Sequence, residues 1–170
     1  MRLPGVILGL VVILIILWDA FETMVLPRRV TRRIRLTGIF YRAVGMPWRF
    51  LARRIQKTKR RESFLGLFGP LSVLMLLGMW AVGLMIGYAT ILWATGVRLN
   101  APEATVGFGT YLYLSGVTFF TVGYGDVAAV SPLGRVINVI EAANGFGLLA
   151  IVIGYLPVLY QSFSRREVNI

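Results

Sequence analysis

Three long apolar stretches organise the chain, separated by a basic segment and by a shorter, glycine-bearing one. The first runs from Leu3 to about Leu26. Its core, Val6 to Trp18, is free of charge, and Asp19 and Glu22 then interrupt it. The second carries no charge over the 35 residues from Ser63 to Val97. The third runs from about Pro132 to Phe163, with Glu141 its only charge between Arg135 and Arg165. A helix crosses the hydrocarbon core with about 20 predominantly apolar residues, so each stretch predicts a membrane span. The first span is short, and its apolar core resembles a signal-peptide region, but no small-x-small cleavage site follows. Pro70 falls early in the second stretch, where a first-turn proline is tolerated. Gly83 and Gly87 form a G-x-x-x-G pair there, a spacing that lets helices approach closely in lipid. Gly145, Gly147, Gly154 and Pro157 can each bend or loosen the third helix.

Composition strengthens this pattern. The chain of 170 residues is 57% hydrophobic and 15% charged, with a mean hydropathy of +0.75, against about 45–50% apolar in soluble domains. The formal net charge is +11, from 18 Lys+Arg and 7 Asp+Glu. In a soluble chain that excess points to nucleic acid. Here 13 of the basic residues fall between Pro27 and Glu62, apart from the apolar runs, so a membrane protein without a nucleic-acid partner is expected. Basic segments of this kind are held on the cytoplasmic side, which puts the N-terminus outside and the C-terminus inside. With no Cys and no His, disulfides, thiol metal sites, a His-based triad and a conventional zinc site are all excluded.

The segment from Ala104 to Ser131 is too short and broken to cross and return as two full helices. Tyr111 to Phe120 is apolar and can form about three turns, roughly 15 Å at 1.5 Å per residue, which reaches halfway into a bilayer. Thr121-Val122-Gly123-Tyr124-Gly125-Asp126 follows. Non-helical backbone at that depth is tolerated only where protein buries it or it lines an aqueous cavity, so a re-entrant loop is expected. The six residues TVGYGD, placed between two spans, resemble the selectivity filter of the potassium channel pore-domain superfamily. The resemblance covers about Ser63 to Ser164. The first span and the basic segment look like additions to the minimal two-span pore.

A potassium ion can shed its water only if oxygen ligands replace it at little net cost. The carbonyls of Thr121, Val122, Gly123 and Tyr124, with the Thr121 hydroxyl, can supply stacked rings of oxygens. Pointing successive carbonyls one way needs alternating backbone handedness, which Gly123 and Gly125 permit through positive φ. Val122 and Tyr124 then turn outward and pack behind the filter. One chain supplies one loop, so the resemblance implies three further identical subunits around a common axis. The preceding half-helix would aim the negative end of its dipole at a cavity ion, and Asp126 would concentrate cations at the outer mouth.

The resemblance also implies that Gly134-Arg135 opens the inner helix and that Gly145 is its gating hinge; close packing is the competing role for Gly145. Gly154-Tyr155-Leu156-Pro157 resembles the inner-helix end of large-conductance potassium channels. Two positions depart from the family pattern. Phe120 stands where Thr or Ser is common before the filter, and Val117 stands where some bacterial members carry a buried Glu coupled to the filter Asp. Tyr113 is placed to bond Asp126 instead.

Glu141 is an acid inside a span and a functional candidate for that reason. It either faces the cavity or packs behind the filter against Thr118 or Ser115, the second being favoured by periodicity, and it is the one candidate proton sensor. Asp19 and Glu22 are expected to pair with Arg28, Arg29 or Arg32. Between Pro27 and Glu62, apolar residues are interspersed with basic ones, as in amphipathic helices lying on an anionic inner leaflet, with Pro47 as a break; orientation of the chain by positive charge alone is the competing role. Arg28, Arg29, Arg32, Arg33, Arg53 and Arg54 are the candidate lipid ligands.

The expected fold is an all-α membrane protein: an N-terminal span (1–26), a basic cytoplasmic amphipathic segment (27–62), an outer pore helix (63–97), an extracellular loop with re-entrant pore helix and filter (98–131), an inner span (132–164) and a cytoplasmic tail (165–170). The expected function is passive potassium conduction through a tetramer in a bacterial plasma membrane, with no cofactor beyond the permeant potassium ion and no enzymatic step. A weakly selective cation channel and a non-conducting membrane adaptor with a lipid-binding basic loop are the other readings.

Overall fold

The computed structural model describes residues 2–24, 36–54, 58–102 and 105–167. These form five helices and one short two-stranded ladder: α1 (Leu3–Met24), α2 (Leu36–Arg53), α3 (Thr58–Thr95), β1 (Leu99–Asn100), α4 (Phe108–Phe119), β2 (Ala128–Ala129) and α5 (Pro132–Glu167). Three stretches are long and apolar enough to cross a membrane: Leu3–Met24, Phe64–Thr95 and Pro132–Gly154. The protein is an all-α membrane fold with three spans. The chain divides into two compact units, one of residues 1–17 with 80–170, the other of residues 18–79.

In the first unit, glycines let α1 lie directly on α3. A methyl group at Gly9 would sit 2.7 Å from the Gly87 carbonyl oxygen, and one at Gly87 would meet Ile13 at 2.7 Å. Ile16 covers Gly83 in the same way, so the G-x-x-x-G pair of α3 receives the N-terminal helix of its own chain. The two helices run antiparallel: the Arg2 amide donates to the Ala94 carbonyl at 2.9 Å, and the Arg2 guanidinium lies 4.7 Å from the Trp93 ring centre. After α3, β1 pairs antiparallel with β2, Leu99 opposite Ala129 and Asn100 opposite Ala128. The ladder brings both ends of the intervening segment together, so α4 and the loop after it enter and leave on one side. Buried Ala89, Leu92, Val97, Tyr111, Leu114, Val127 and Ala129 form the core beneath it. Ser131 caps α5, its hydroxyl accepting from the Gly134 amide at 3.2 Å, and Pro132 takes the first helical position, where its missing N–H costs nothing.

In the second unit, Trp48 of α2 stacks on Phe64 of α3 with ring centres 4.4 Å apart and donates its indole N–H to the Phe64 carbonyl at 3.2 Å. The helix runs unbroken through Pro47, against the expected break. Pro47 lies on the exposed face, where the carbonyl it leaves without a helical donor is not buried, and Trp48 anchors the next position. The structure also carries α3 back to Thr58, into the basic segment, because Lys, Arg and Glu are good helix formers. Asp19 is buried at 6% exposure and accepts from the Thr37 hydroxyl at 2.7 Å and from the Thr37 amide at 3.4 Å. Its expected partners Arg28, Arg29 and Arg32 lie outside the described residues.

Candidate ion pathway

The site is built at the C-terminal end of α4. The last turn of that helix closes on itself, with the Phe120 amide donating to the Gly116 carbonyl at 3.1 Å and the Thr121 amide to the Thr118 carbonyl at 3.0 Å. The next two amides also point back: Val122 donates to the Val117 carbonyl at 2.8 Å and Gly123 to the same oxygen at 3.2 Å. The amides of Thr121, Val122 and Gly123 are thereby spent on the helix behind them. Among the described residues, the turn and loop backbone hydrogen bonds use none of the carbonyls from 121 to 125 as acceptors.

Backbone handedness alternates along the strip. Thr121 has φ +55°, Gly123 +61° and Gly125 +79°, whereas Val122 and Tyr124 keep negative φ. The two glycines adopt this region without steric cost; Thr121 adopts it as the one described non-glycine residue to do so. A β-branched residue there is a genuine outlier, and such strain gathers at functional sites. Sequence reasoning placed the positive φ at the glycines and had no signal for it at Thr121.

Residues 121–126 are all exposed in the single chain, Val122 at 49% and Tyr124 at 72%, so one chain does not cover the outward-turned side chains. Asp126 is tied down by the Tyr113 hydroxyl, which donates to its Oδ2 at 2.8 Å. This bond holds the Tyr113 hydroxyl above the usual tyrosine range. Tyr111, two residues earlier, donates to the Val97 carbonyl at 2.8 Å and fixes α4 to the exit of α3.

The inner helix meets this assembly at two points. A methyl at Gly145 would overlap the Phe119 carbonyl oxygen and lie 2.8 Å from the Phe119 carbonyl carbon, so the end of α4 rests on a bare stretch of α5. The helix passes through Gly145 without interruption. One turn earlier, Glu141 is fully buried and hydrogen-bonded to the Ser115 hydroxyl, behind the strip rather than in an open cavity. Asn144 Nδ2 bonds the Tyr88 hydroxyl on α3. That contact was not foreseen, although a second polar residue one turn from Glu141 in an apolar span was the available signal. Of the candidate lipid ligands, Arg53 and Arg54 lie at the exposed end of α2, the Arg54 guanidinium 5.1 Å from the Phe50 ring centre. Arg28, Arg29, Arg32 and Arg33 lie outside the described residues.

A half-length helix, a returning strip of alternating handedness and a second span crossing behind it are what an ion-conducting pore needs from each chain. Residues 75–161 match the family model described as ion channel. The chain belongs to this family, the pore-domain superfamily of potassium channels. It is therefore a multi-pass membrane protein of ion-channel type. It is also similar to Protein LctB of Geobacillus stearothermophilus, 34% identical over 93 residues that cover 49% of this chain and 69% of the relative. No solved structure matches. The family match begins within α3 and leaves out α1 and α2.

Proposed function

We propose that the chain forms a homotetrameric channel that conducts potassium ions passively and in preference to sodium. The observation that carries this reading is the strip 121–125, with positive φ at alternate residues and the amides of Thr121, Val122 and Gly123 spent on the helix behind it. Four such strips about an axis would offer rings of carbonyls from Thr121, Val122, Gly123 and Tyr124, with the Thr121 hydroxyl below them, in place of a hydration shell. The half-helix α4 would present the negative end of its dipole to an ion beneath the filter. The ring of Asp126 carboxylates would draw cations to the mouth. Gly125 closes the alternation, and Gly145 is a candidate hinge for the inner helix.

The basic segment supports a placement with the N-terminus outside and the segment on the cytoplasmic leaflet of a bacterial plasma membrane, where anionic lipids would be its partners. The test is ion flux into liposomes holding the purified full chain, potassium against sodium, with barium as blocker. Potassium flux well above sodium flux, stopped by barium, is expected. Equal fluxes would replace this reading with a weakly selective cation channel, for which Phe120 in place of a hydroxyl is the sequence argument. Absence of flux from either ion would favour the non-conducting adaptor.

A further inference from the structure

The buried cluster behind the filter has too few protons for the hydrogen bonds its geometry makes. Ser115 on α4 is fully buried and its hydroxyl oxygen lies 2.9 Å from the Met85 carbonyl on α3 while also bonding Oε1 of Glu141 on α5. A serine hydroxyl has one hydrogen to donate and two lone pairs with which to accept. The Met85 carbonyl only accepts. If Glu141 were a carboxylate it too would only accept, and one of the two close oxygen–oxygen contacts of Ser115 would have no hydrogen between its atoms.

We propose that Glu141 works as the neutral acid, the donor that starts a chain from Glu141 through Ser115 to Met85 and so positions the pore helix between the outer and inner helices. The surroundings fit that state. Glu141 Oε2 has no hydrogen-bond partner, and neither does the buried Asn138 Oδ1 one turn earlier on α5, so the cluster is already rich in acceptors. Of the elements packed against Glu141, α3 presents one titratable group, the Tyr88 hydroxyl, which Asn144 engages. From α4 the neutral Ser115 faces it, and from α5 the neutral Asn138 and Asn144 lie within a turn. Among the described residues, no cation is positioned to offset a charge on Glu141, and an unpaired buried ion is the costliest arrangement a membrane interior can hold. The end of α4 that this chain holds is the end from which the filter strip hangs, so the proton on Glu141 is a positioning element for the filter.

The consequence for conduction rests on the channel reading; the location of the proton does not, and the two are tested separately. Infrared difference spectra of the full chain in liposomes, wild type against Glu141→Gln, should show a protonated-carboxyl band at neutral pH that the variant lacks. That band should move in Ser115→Ala, where the acid loses its acceptor. No such band, or a band that Ser115→Ala leaves in place, would overturn the proposal. In flux measurements, alkaline titration should remove the band and lower the wild-type flux together. Glu141→Gln, whose amide keeps a donor for Ser115, should conduct without that alkaline fall. Ser115→Ala should lose flux on the order of tenfold, the factor that corresponds to one net hydrogen bond to a strong donor, and Ser115→Thr should restore it. An alkaline fall that sets in below the ordinary tyrosine range and persists in Glu141→Gln would also overturn the proposal. A wild-type protein that shows the band but carries no ion would sink the channel reading alone.

Discussion

At the residue scale, the outer end of the 121–126 strip carries a hydrogen bond between two exposed groups, the Tyr113 hydroxyl and Asp126 Oδ2. Under the proposed function, removing it in Tyr113→Phe should make the conducting state less persistent, a few-fold at most, because exposed pairs of this kind are weakened by solvent and salt. Single-channel open times in the two proteins check this. The pH dependence follows from the direction of the shift. Tyr113 is held above its usual range by this bond. The bond is therefore fully present below the ordinary tyrosine value of about 10 and is lost as pH rises through the raised one. An alkaline shortening of open times above that value should appear in Glu141→Gln, where Tyr113 is the group that titrates, and be missing when Tyr113→Phe is added to it. The pairing of Tyr113 with Asp126 was legible through the resemblance, because Val117 stands where some members carry the acid that meets the Asp and Tyr113 lies one helical turn before it. The left-handed conformation of Thr121 was not legible: threonine disfavours it, and only the packing of the whole loop imposes it.

At the element scale, contacts between helices account for most of what sequence reasoning could not supply. Hydropathy locates spans because lipid imposes length and apolarity, but it does not say which span touches which. Gly83 and Gly87 announced a close approach without naming α1 as the partner, since in lipid small residues permit contact without specifying it. The same holds for Gly145. A methyl there would overlap the Phe119 carbonyl, which is backbone and cannot rotate away, so Gly145→Ala should destabilise the folded channel by about 1–3 kcal/mol or more, as overpacking does. Thermal unfolding in detergent measures it. A folded, fully stable Gly145→Ala protein with altered gating would instead assign Gly145 to a hinge.

The exposed face of α2 yields a second element-scale prediction. Ile39, Met46 and Phe50, at 48%, 68% and 58% exposure, follow helical spacing and form one stripe. Arg42, Arg49 and Arg53, all exposed, run along its edge. This is the pattern of a helix lying at a lipid interface. Each basic residue near an anionic surface contributes about 1 kcal/mol. Replacing all three by Gln should therefore weaken the response of flux to anionic lipid by up to about a hundredfold in lipid concentration. A response to anionic lipid equal to that of the wild type would detach this face from the membrane surface.

At the scale of the whole molecule, the single chain exposes the parts of a channel that an assembly would cover. Tyr124 and Val122 stand open at 72% and 49%. Along the same α5 whose Glu141 and Gly145 are buried, Val136, Val139, Phe146, Leu149 and Ile153 are exposed at 56%, 70%, 66%, 52% and 59%. Lipid could cover such a surface on a helix, but it could not cover the 121–125 strip, whose free carbonyls have no partner in hydrocarbon. Water or other copies of the chain must face them, and a ring that surrounds one dehydrated ion with equal oxygens calls for rotational symmetry. Purified protein should therefore have the mass of four copies of an 18.9 kDa chain once bound detergent is subtracted. A cysteine introduced at Tyr124 should cross-link between subunits, while one at Trp80, buried within its own chain, should not. A protein that stays monomeric in lipid nanodiscs would leave the carbonyls of 121–125 without a ring to complete. The membrane fold would stand, and the case for potassium conduction would fall.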